Sequence, residues 1–490
     1  MQALKQNIVN QFLKALPLLL GLLSVYFIIF FIRKDQWHYA LLIPAVLTFA
    51  YWFIFKLDVL FYILAFSVPI SASLEMLRIY NPLGFEVSLP SEPILIALLG
   101  VAGYKLIFYF DLFKDLLKHP IFKGILFYLL TLFFTTITSS MHVISLKFIL
   151  SRLWLMLPCL IFGFIVFRDN KNFYRFVALL SLGTSLVVTY SILNLASKGF
   201  DLQAAHFAMQ PFYKDHTVYG ASITLIAFLS FFQIGNKNIS SQMRIFFIVT
   251  TAIIALGIVF SYTRASWVSI VAAVGVYVVM RLRIPFNLIA VSVVSLGLFL
   301  FSFSNEILDT LDNNSQDSSG NFSEHISSMS NISTDASNLE RLNRWYCAIS
   351  LWEEHPIVGS GPGTYQFLYA PYQKPGTRSI ISTNDGDGGN AHSEFLGALS
   401  DSGIIGLLGI IVFLYVTLRY GIRLYYKIES ITDKRIIMGI LLALISYFIH
   451  GILNNYLDSD KCAVPIWTSV CMLIVLGIKH KKAIAEKAEQ

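Results

Sequence analysis

Residues 337–367 read SNLERLNRWYCAISLWEEHPIVGSGPGTYQF, and residues 389–406 read GNAHSEFLGALSDSGIIG. Both stretches carry arginine or histidine, carboxylates and glycine, in a chain that is otherwise a succession of apolar runs. Of its 490 residues 56% are hydrophobic and 13% charged, where a soluble domain carries about 25% charge. Runs near the ~20 residues that a bilayer requires recur along the whole length. The contrast predicts an all-α polytopic membrane protein of about 12–14 transmembrane helices, with one large, partly helical loop outside the membrane.

Working outward from that loop, apolar runs fall at 15–32, 39–55, 57–71, 92–110, 121–138, 149–167, 173–194, 217–235, 244–262, 264–280 and 284–303 before it, and at 404–422, 436–453 and 463–478 after it. The chain thus divides into transmembrane helices over 1–303, a loop over 304–403, three further spans over 404–478 and a basic tail at 479–490. If the N-terminus is cytoplasmic, the inner segments collect most of the basic residues, among them Lys114, Lys118, Arg168, Lys171, Arg419, Arg423 and the tail lysines. Outer loops hold few, such as Lys147 with Arg152, or Lys198. This asymmetry places both termini inside and the large loop outside. It also accounts for the net charge of +7, so no nucleic-acid partner is expected.

The four cysteines form no framework: Cys159 and Cys471 lie in spans, Cys462 at a span edge and Cys347 in the loop. No Cys/His spacing suits a metal, and no metal or cofactor is expected. Lys5 and Lys14 precede a first apolar run that is long for a signal peptide and lacks a small-residue cleavage site, so it reads as a retained span. Residues 311–337, rich in Ser and Asn, read as a link rather than a packed element.

Within the loop, Ser337 to Glu340 fits a capping box that starts a helix. Leu342, Trp345, Ile349 and Trp352 then recur at helical spacing until His355-Pro356. Arg341 projects onto that apolar face and Arg344 to its edge. Either Arg341 serves a site or it snorkels over tryptophans. His392 precedes a short helical pattern from Ser393 to Ser400, where the helix dipole disfavours its charged form and leaves a base near neutral pH; the alternative is a capping histidine. Glu394 can orient His392 or simply be solvated, and solvation is the expectation. Asp385 and Asp387 lack the closing glutamate of a calcium loop. Gly359-Ser360-Gly361-Pro362-Gly363 lacks the Lys-Ser/Thr of a phosphate loop. Arg264, in SYTRASW between two spans, must find a partner or anchor at the interface. Lys214, Asp215 and His216 begin another span on the same side, and Asn454, Asn455, Asp458 and Lys461 line a further outer turn.

Together these pieces resemble the O-antigen ligase and O-antigen polymerase superfamily of bacterial envelope glycosyltransferases. The resemblance rests on Thr263-Arg264 at an outer span junction, Arg341 four residues before Trp345, His355-Pro356 ahead of Gly359–Gly363, and His392 ahead of Asp401-Ser402-Gly403-Ile404-Ile405-Gly406. It covers about 260–410 in motif and the remainder in hydropathy alone. The family often has Ser where this chain has Thr263, and Asn where it has Ser393; twelve spans are expected of the ligase branch. The resemblance implies catalytic roles for Arg264, Arg341 and His392; from their positions alone, Arg344, Lys214, Asp215, His216, Trp345 and Glu394 are candidate substrate contacts. It implies a glycan donor on polyprenyl (undecaprenyl) diphosphate and a lipid A–core sugar as acceptor, at the periplasmic face of a bacterial inner membrane. The growing glycan is the acceptor if the protein is instead a polymerase. A protein O-oligosaccharyltransferase and a non-enzymatic transporter of lipid-linked glycans are the remaining alternatives; a transporter would place charges at mid-membrane in broken spans.

Overall fold

The computed structural model describes residues 21–27, 29–30, 33, 56–79, 87–284, 336–373 and 389–489. The expected span at 39–55, nearly all of that at 284–303, the link before residue 336, and Asp385 with Asp387 lie outside them. Contacts divide the chain into Met1–Leu64 and Ala65–Gln490. In the first unit, residues 21–27 and 57–64 are helical; apart from the start of α1, everything below concerns the second.

The protein is an all-α polytopic membrane protein. Its helices are α1 (Leu57–Ile70), α2 (Ser91–Phe108), α3 (Pro120–Ile137), α4 (His142–Val166), α5 (Asn170–Ser197), α6 (His216–Ile234), α7 (Ser241–Phe260), α8 (Arg264–Leu282), α9 (Ala336–Glu354), α10 (Tyr365–Leu368), α11 (Glu394–Lys427), α12 (Ile431–His450) and α13 (Asp460–Glu489). Nine of the described helices are long and apolar enough to cross a membrane. Extended structure among the described residues is limited to two-residue strands, β1 (Ala72–Ser73) and β2 (Ser88–Leu89), paired antiparallel. With no water in the hydrocarbon to satisfy open backbone groups, helices are the economical solution for a chain of this composition.

Capping explains several boundaries. Asp215 accepts from Thr217 N at 2.7 Å and Val218 N at 3.1 Å to start α6, and Ser240 starts α7 by accepting from Met243 N. The helix α13 is the centre of the bundle: from Cys462 to Leu476 its apolar side chains are almost wholly buried. By contrast α7 and α8 leave large apolar residues such as Leu256, Val271 and Val274 exposed, as a lipid-facing helix should.

One end of the bundle is strongly basic. There Lys482 pairs with Asp115 at 2.8 Å, Arg435 donates to the carbonyl of Gly235, and Tyr426 donates to Met280 O. The sequence ends the last span at 478, yet α13 continues to Glu489, its basic face partly held by the Asp115 pair. At the opposite end, the chain between α9 and α11 is stapled to the bundle. Asp401 accepts from Gly363 N at 2.8 Å and Tyr365 N at 2.9 Å, and Ile404 N donates to Pro356 O at 2.9 Å. Ser140 N donates to Ser360 O at 2.9 Å from the α3–α4 turn. Gly359 and Gly403 both have positive φ, and a Cβ at either would collide with the backbone facing it. The glycine motif exists for this close approach. The short helix expected at 393–400 and the span expected at 404–422 are the two helical segments of α11, separated by the non-helical Gly403 (φ 61, ψ −162), where Ile404 N and Ile405 N turn to the carbonyls of Pro356 and Ile357.

Candidate active site

Among the helices that begin at this stapled end are α6 at His216, α8 at Arg264 and α11 at Glu394. Arg264 follows a tight junction in which Tyr262 takes a left-handed conformation (φ 49). Thr263 donates from its hydroxyl to His216 O at 2.7 Å, locking α8 to the start of α6. Gly220 permits the approach, since a Cβ there would lie 2.6 Å from Ser266 Oγ. Arg264 is half-buried at the positive end of its own helix dipole.

Arg341 is also half-buried, on α9, and burial lowers its proton affinity against the opposing influence of Tyr456 and Asp215. Its charge acts on Arg264, His216, His392 and His450. The two guanidinium groups and the imidazole of His392, far apart in sequence, therefore belong to one electrostatic cluster.

His392 is held by backbone and side chain alike. It adopts φ 48, a strained conformation for a residue with a Cβ. Its N–H donates to Asn390 Oδ1 at 3.1 Å, its carbonyl accepts from Trp345 Nε1 at 3.2 Å, and its Nδ1 lies 3.4 Å from Asn454 Oδ1. Burial, and then the charge of Arg341, push its pKa down to about 4. The ring is neutral at physiological pH, the state a proton acceptor needs.

Beside His392 lies a cavity of about 700 Å³. Lys214, Asp215, Thr217 and Tyr456 line it with His392, and Glu92, Lys147, Trp154 and Phe367 form other walls. Such a volume is ample for a polar headgroup or a few sugar rings.

The remaining sequence candidates fall in different places. Lys214 is exposed at the cavity. Asp215 caps α6 while facing the cavity and the Thr217 hydroxyl, which donates to it at 2.5 Å. His216 stacks on His206 with ring centres 4.2 Å apart. Trp345 positions the His392 backbone. Arg344 turns into the loop's own core: Nε donates to Glu340 Oε1 at 2.7 Å and its guanidinium lies 3.9 Å over the Tyr369 ring. Glu394 departs from the solvated expectation: it is buried, and its Oε1 accepts from Tyr447 Oη at 2.5 Å, Tyr456 N at 2.8 Å and Leu457 N at 2.9 Å. A carboxylate at the start of α11 is favoured by the dipole and saturated by donors there. Arg152, expected in an outer loop, is buried within α4, over the Phe148 ring at 4.8 Å, and its charge acts on Glu394 and Asp401.

Sequence reasoning passes over His450 and Tyr456. The first ends an apolar run and has no neighbour to single it out; the second sits two residues from Asn454 in a turn that reads as outer. Tyr456 shares a hydrogen bond with the Thr217 hydroxyl, which ties that turn to α6.

Fold and site together define a multi-pass membrane protein with arginines and an imidazole coupled at one end of its bundle, the imidazole of His392 lining a cavity of mixed polar and apolar walls. Residues 247–411, from α7 through the kink of α11, match the family model described as O-antigen ligase. Arg264, Arg341 and His392 all fall inside that stretch. A comparison with curated proteins finds no match.

Proposed function

We propose that this protein is an O-antigen ligase-like glycosyltransferase, moving a glycan from polyprenyl diphosphate to a sugar hydroxyl of lipid A–core at the periplasmic face of the inner membrane. The observation that carries the reading is that the charge of Arg341 acts on both Arg264 and His392, that His392 lines the cavity, and that all three fall within the stretch that matches the family. Two arginines whose charges act on one another suit a diphosphate, because a guanidinium meets phosphate oxygens bidentately and stays charged when partly buried.

In the reaction the acceptor oxygen forms a bond to the anomeric carbon as the bond from that carbon to the phosphate oxygen breaks. The electron pair leaves on the diphosphate, whose growing charge Arg264 and Arg341 meet with preorganised donors. His392 takes the hydroxyl proton. The sugar–diphosphate bond supplies the driving force, so neither ATP nor a metal is required. Lys214 and Asp215, at the cavity wall, are placed to contact hydroxyls of the glycan or its acceptor.

The test uses purified protein in detergent, labelled polyprenyl-diphosphate glycan and acceptor. Transfer by the wild type and none by His392→Ala supports the reading; equal transfer by the variant, or movement of the lipid-linked glycan across vesicles with no covalent product, overturns it. Deletion of the gene separates the two family activities on a lipopolysaccharide gel. Bare core marks a ligase, and core bearing one repeat unit marks a polymerase.

A further inference from the structure

Behind His392 the polar contacts continue inward through Asn454 and His450 to Ser266. His392 Nδ1 lies 3.4 Å from Asn454 Oδ1. Asn454 Nδ2 lies 3.2 Å from His450 Nε2, and His450 Nδ1 lies 3.5 Å from Ser266 Oγ. Asn454 and His450 are each 1% exposed and Ser266 is fully buried, so bulk water does not compete for these groups.

The chemistry of the amide fixes the protons. Its oxygen only accepts and its nitrogen only donates. With the oxygen toward His392 and the nitrogen toward His450, His392 must carry its proton on Nδ1, leaving the lone pair on Nε2. His450 in turn accepts at Nε2, carries its proton on Nδ1 and donates it to Ser266. Ser266 lies in the first turn of α8, whose first residue is Arg264, so the relay runs from one member of the cluster to the helix that presents another.

We infer that Asn454 is a positioning residue for the transfer reaction: its amide, steadied by His450, holds the His392 proton on Nδ1 and so makes Nε2 the atom that receives the acceptor's proton. The inference rests on the role proposed above for His392. It differs from a triad with a carboxylate behind the histidine, because a neutral amide orients the ring and favours the imidazolium only through its hydrogen bond, without a full negative charge. Arg341 and Arg344 face the ring from α9, with Glu340 weaker. The nearest carboxylate of α11, Glu394, is turned to Tyr447 and the backbone of Tyr456 and Leu457. The proton therefore moves to Nε2 only as the new glycosidic bond forms, and passes on to solvent or the released diphosphate afterwards.

The full-length protein is assayed for transfer across pH as wild type, Asn454→Ala and Asn454→Asp, with thermal unfolding as a check on folding. Asn454→Ala frees the ring and is expected to lower kcat by about tenfold or more, with KM for the lipid-linked donor changing far less. Asn454→Asp still accepts from Nδ1 but adds a negative charge, so it is expected to retain more activity than the alanine variant and to move the acidic limb of kcat/KM upward by about one pH unit or more. Wild-type kcat in the alanine variant overturns the inference. So does an acidic limb that stays in place in the aspartate variant, since a purely structural residue would leave it there or abolish folding in both. If Asn454→Ala does not fold, the limb of Asn454→Asp decides alone. Absence of transfer by the wild type strikes the proposed function instead.

Discussion

Replacing Asp401 by alanine removes the clamp that joins the glycine-rich loop to the kink of α11. Its two carboxylate oxygens accept from Gly363 N and Tyr365 N at 2.8 and 2.9 Å. Tyr365 is buried, and Asp401 keeps partial contact with solvent. An orphaned buried donor costs about 1–3 kcal/mol, and partial hydration puts each of these near the lower bound. The sum is about 2 kcal/mol, or roughly thirtyfold in the local opening equilibrium. An asparagine side chain keeps one acceptor oxygen, so Asp401→Asn should cost about 1 kcal/mol, roughly fivefold. Hydrogen exchange followed by mass spectrometry reads this directly in peptides covering 361–366, with peptides from α6 as the internal reference. Faster exchange in the loop, larger for alanine than for asparagine and absent from α6, is the expected pattern. Unchanged exchange in the loop, or an equal rise in α6, would refute the clamp. Because the same loop precedes the segment carrying His392, transfer should fall in the same order.

Other outcomes can be checked in the same preparations. Gly403→Ala should destabilise more than an ordinary helix substitution, because φ 61 with ψ −162 is a region only glycine enters readily, and its melting temperature should drop clearly below that of Gly397→Ala. Transfer by the wild type should hold steady from pH 8 down to about 5 and fall as pH passes about 4, since protonation removes the base; a midpoint near the ordinary histidine value of ~6.5 would contradict the effect of burial and Arg341. Arg341→Lys and Arg264→Lys each keep the charge but lose the guanidinium fork, and should each lower kcat/KM by about tenfold or more, with the double variant less than multiplicative if both hold one diphosphate. Chelator should leave transfer unchanged, and loss of activity restored by a divalent ion would sink the metal-free mechanism.

Much of the architecture was legible because hydropathy is a local property. The run at 217–235 appears as His216–Ile234, and that at 264–280 as Arg264–Leu282, starting within four residues of the end of its predecessor at Phe260. Helix α9 likewise runs from Ala336 to Glu354, ending beside His355-Pro356. Proline and a change of periodicity are enough to mark such limits. What failed to show was what holds the break between 393–400 and 404–422 in place. A glycine reads as a break, and the structure has one at Gly403, but only the facing backbone of Ile357 and Val358 shows why no other residue fits there. The fates of Glu394 and Arg344 were equally hidden. Glu394 reads as solvated and Arg344 as standing at the edge of an apolar face, yet both are buried: Glu394 by Tyr447 and the 456–457 backbone, Arg344 between Glu340 of its own helix and the Tyr369 ring.

By itself, then, the order of residues determined that this chain lives in a membrane, where most of its helices begin and end, and which polar segments stand apart. These depend on the free energy of moving short stretches between water and hydrocarbon, a sum over neighbours in the chain. Which charges meet was decided only by packing. Arg264, Arg341, His392 and Asn454 belong to four segments, and their mutual orientation follows from where helices can approach through Gly220, Gly359 and Gly403. Electrostatic and hydrogen-bond energies vary steeply with distance and direction in three dimensions, so a one-dimensional pattern can nominate the participants but cannot seat them.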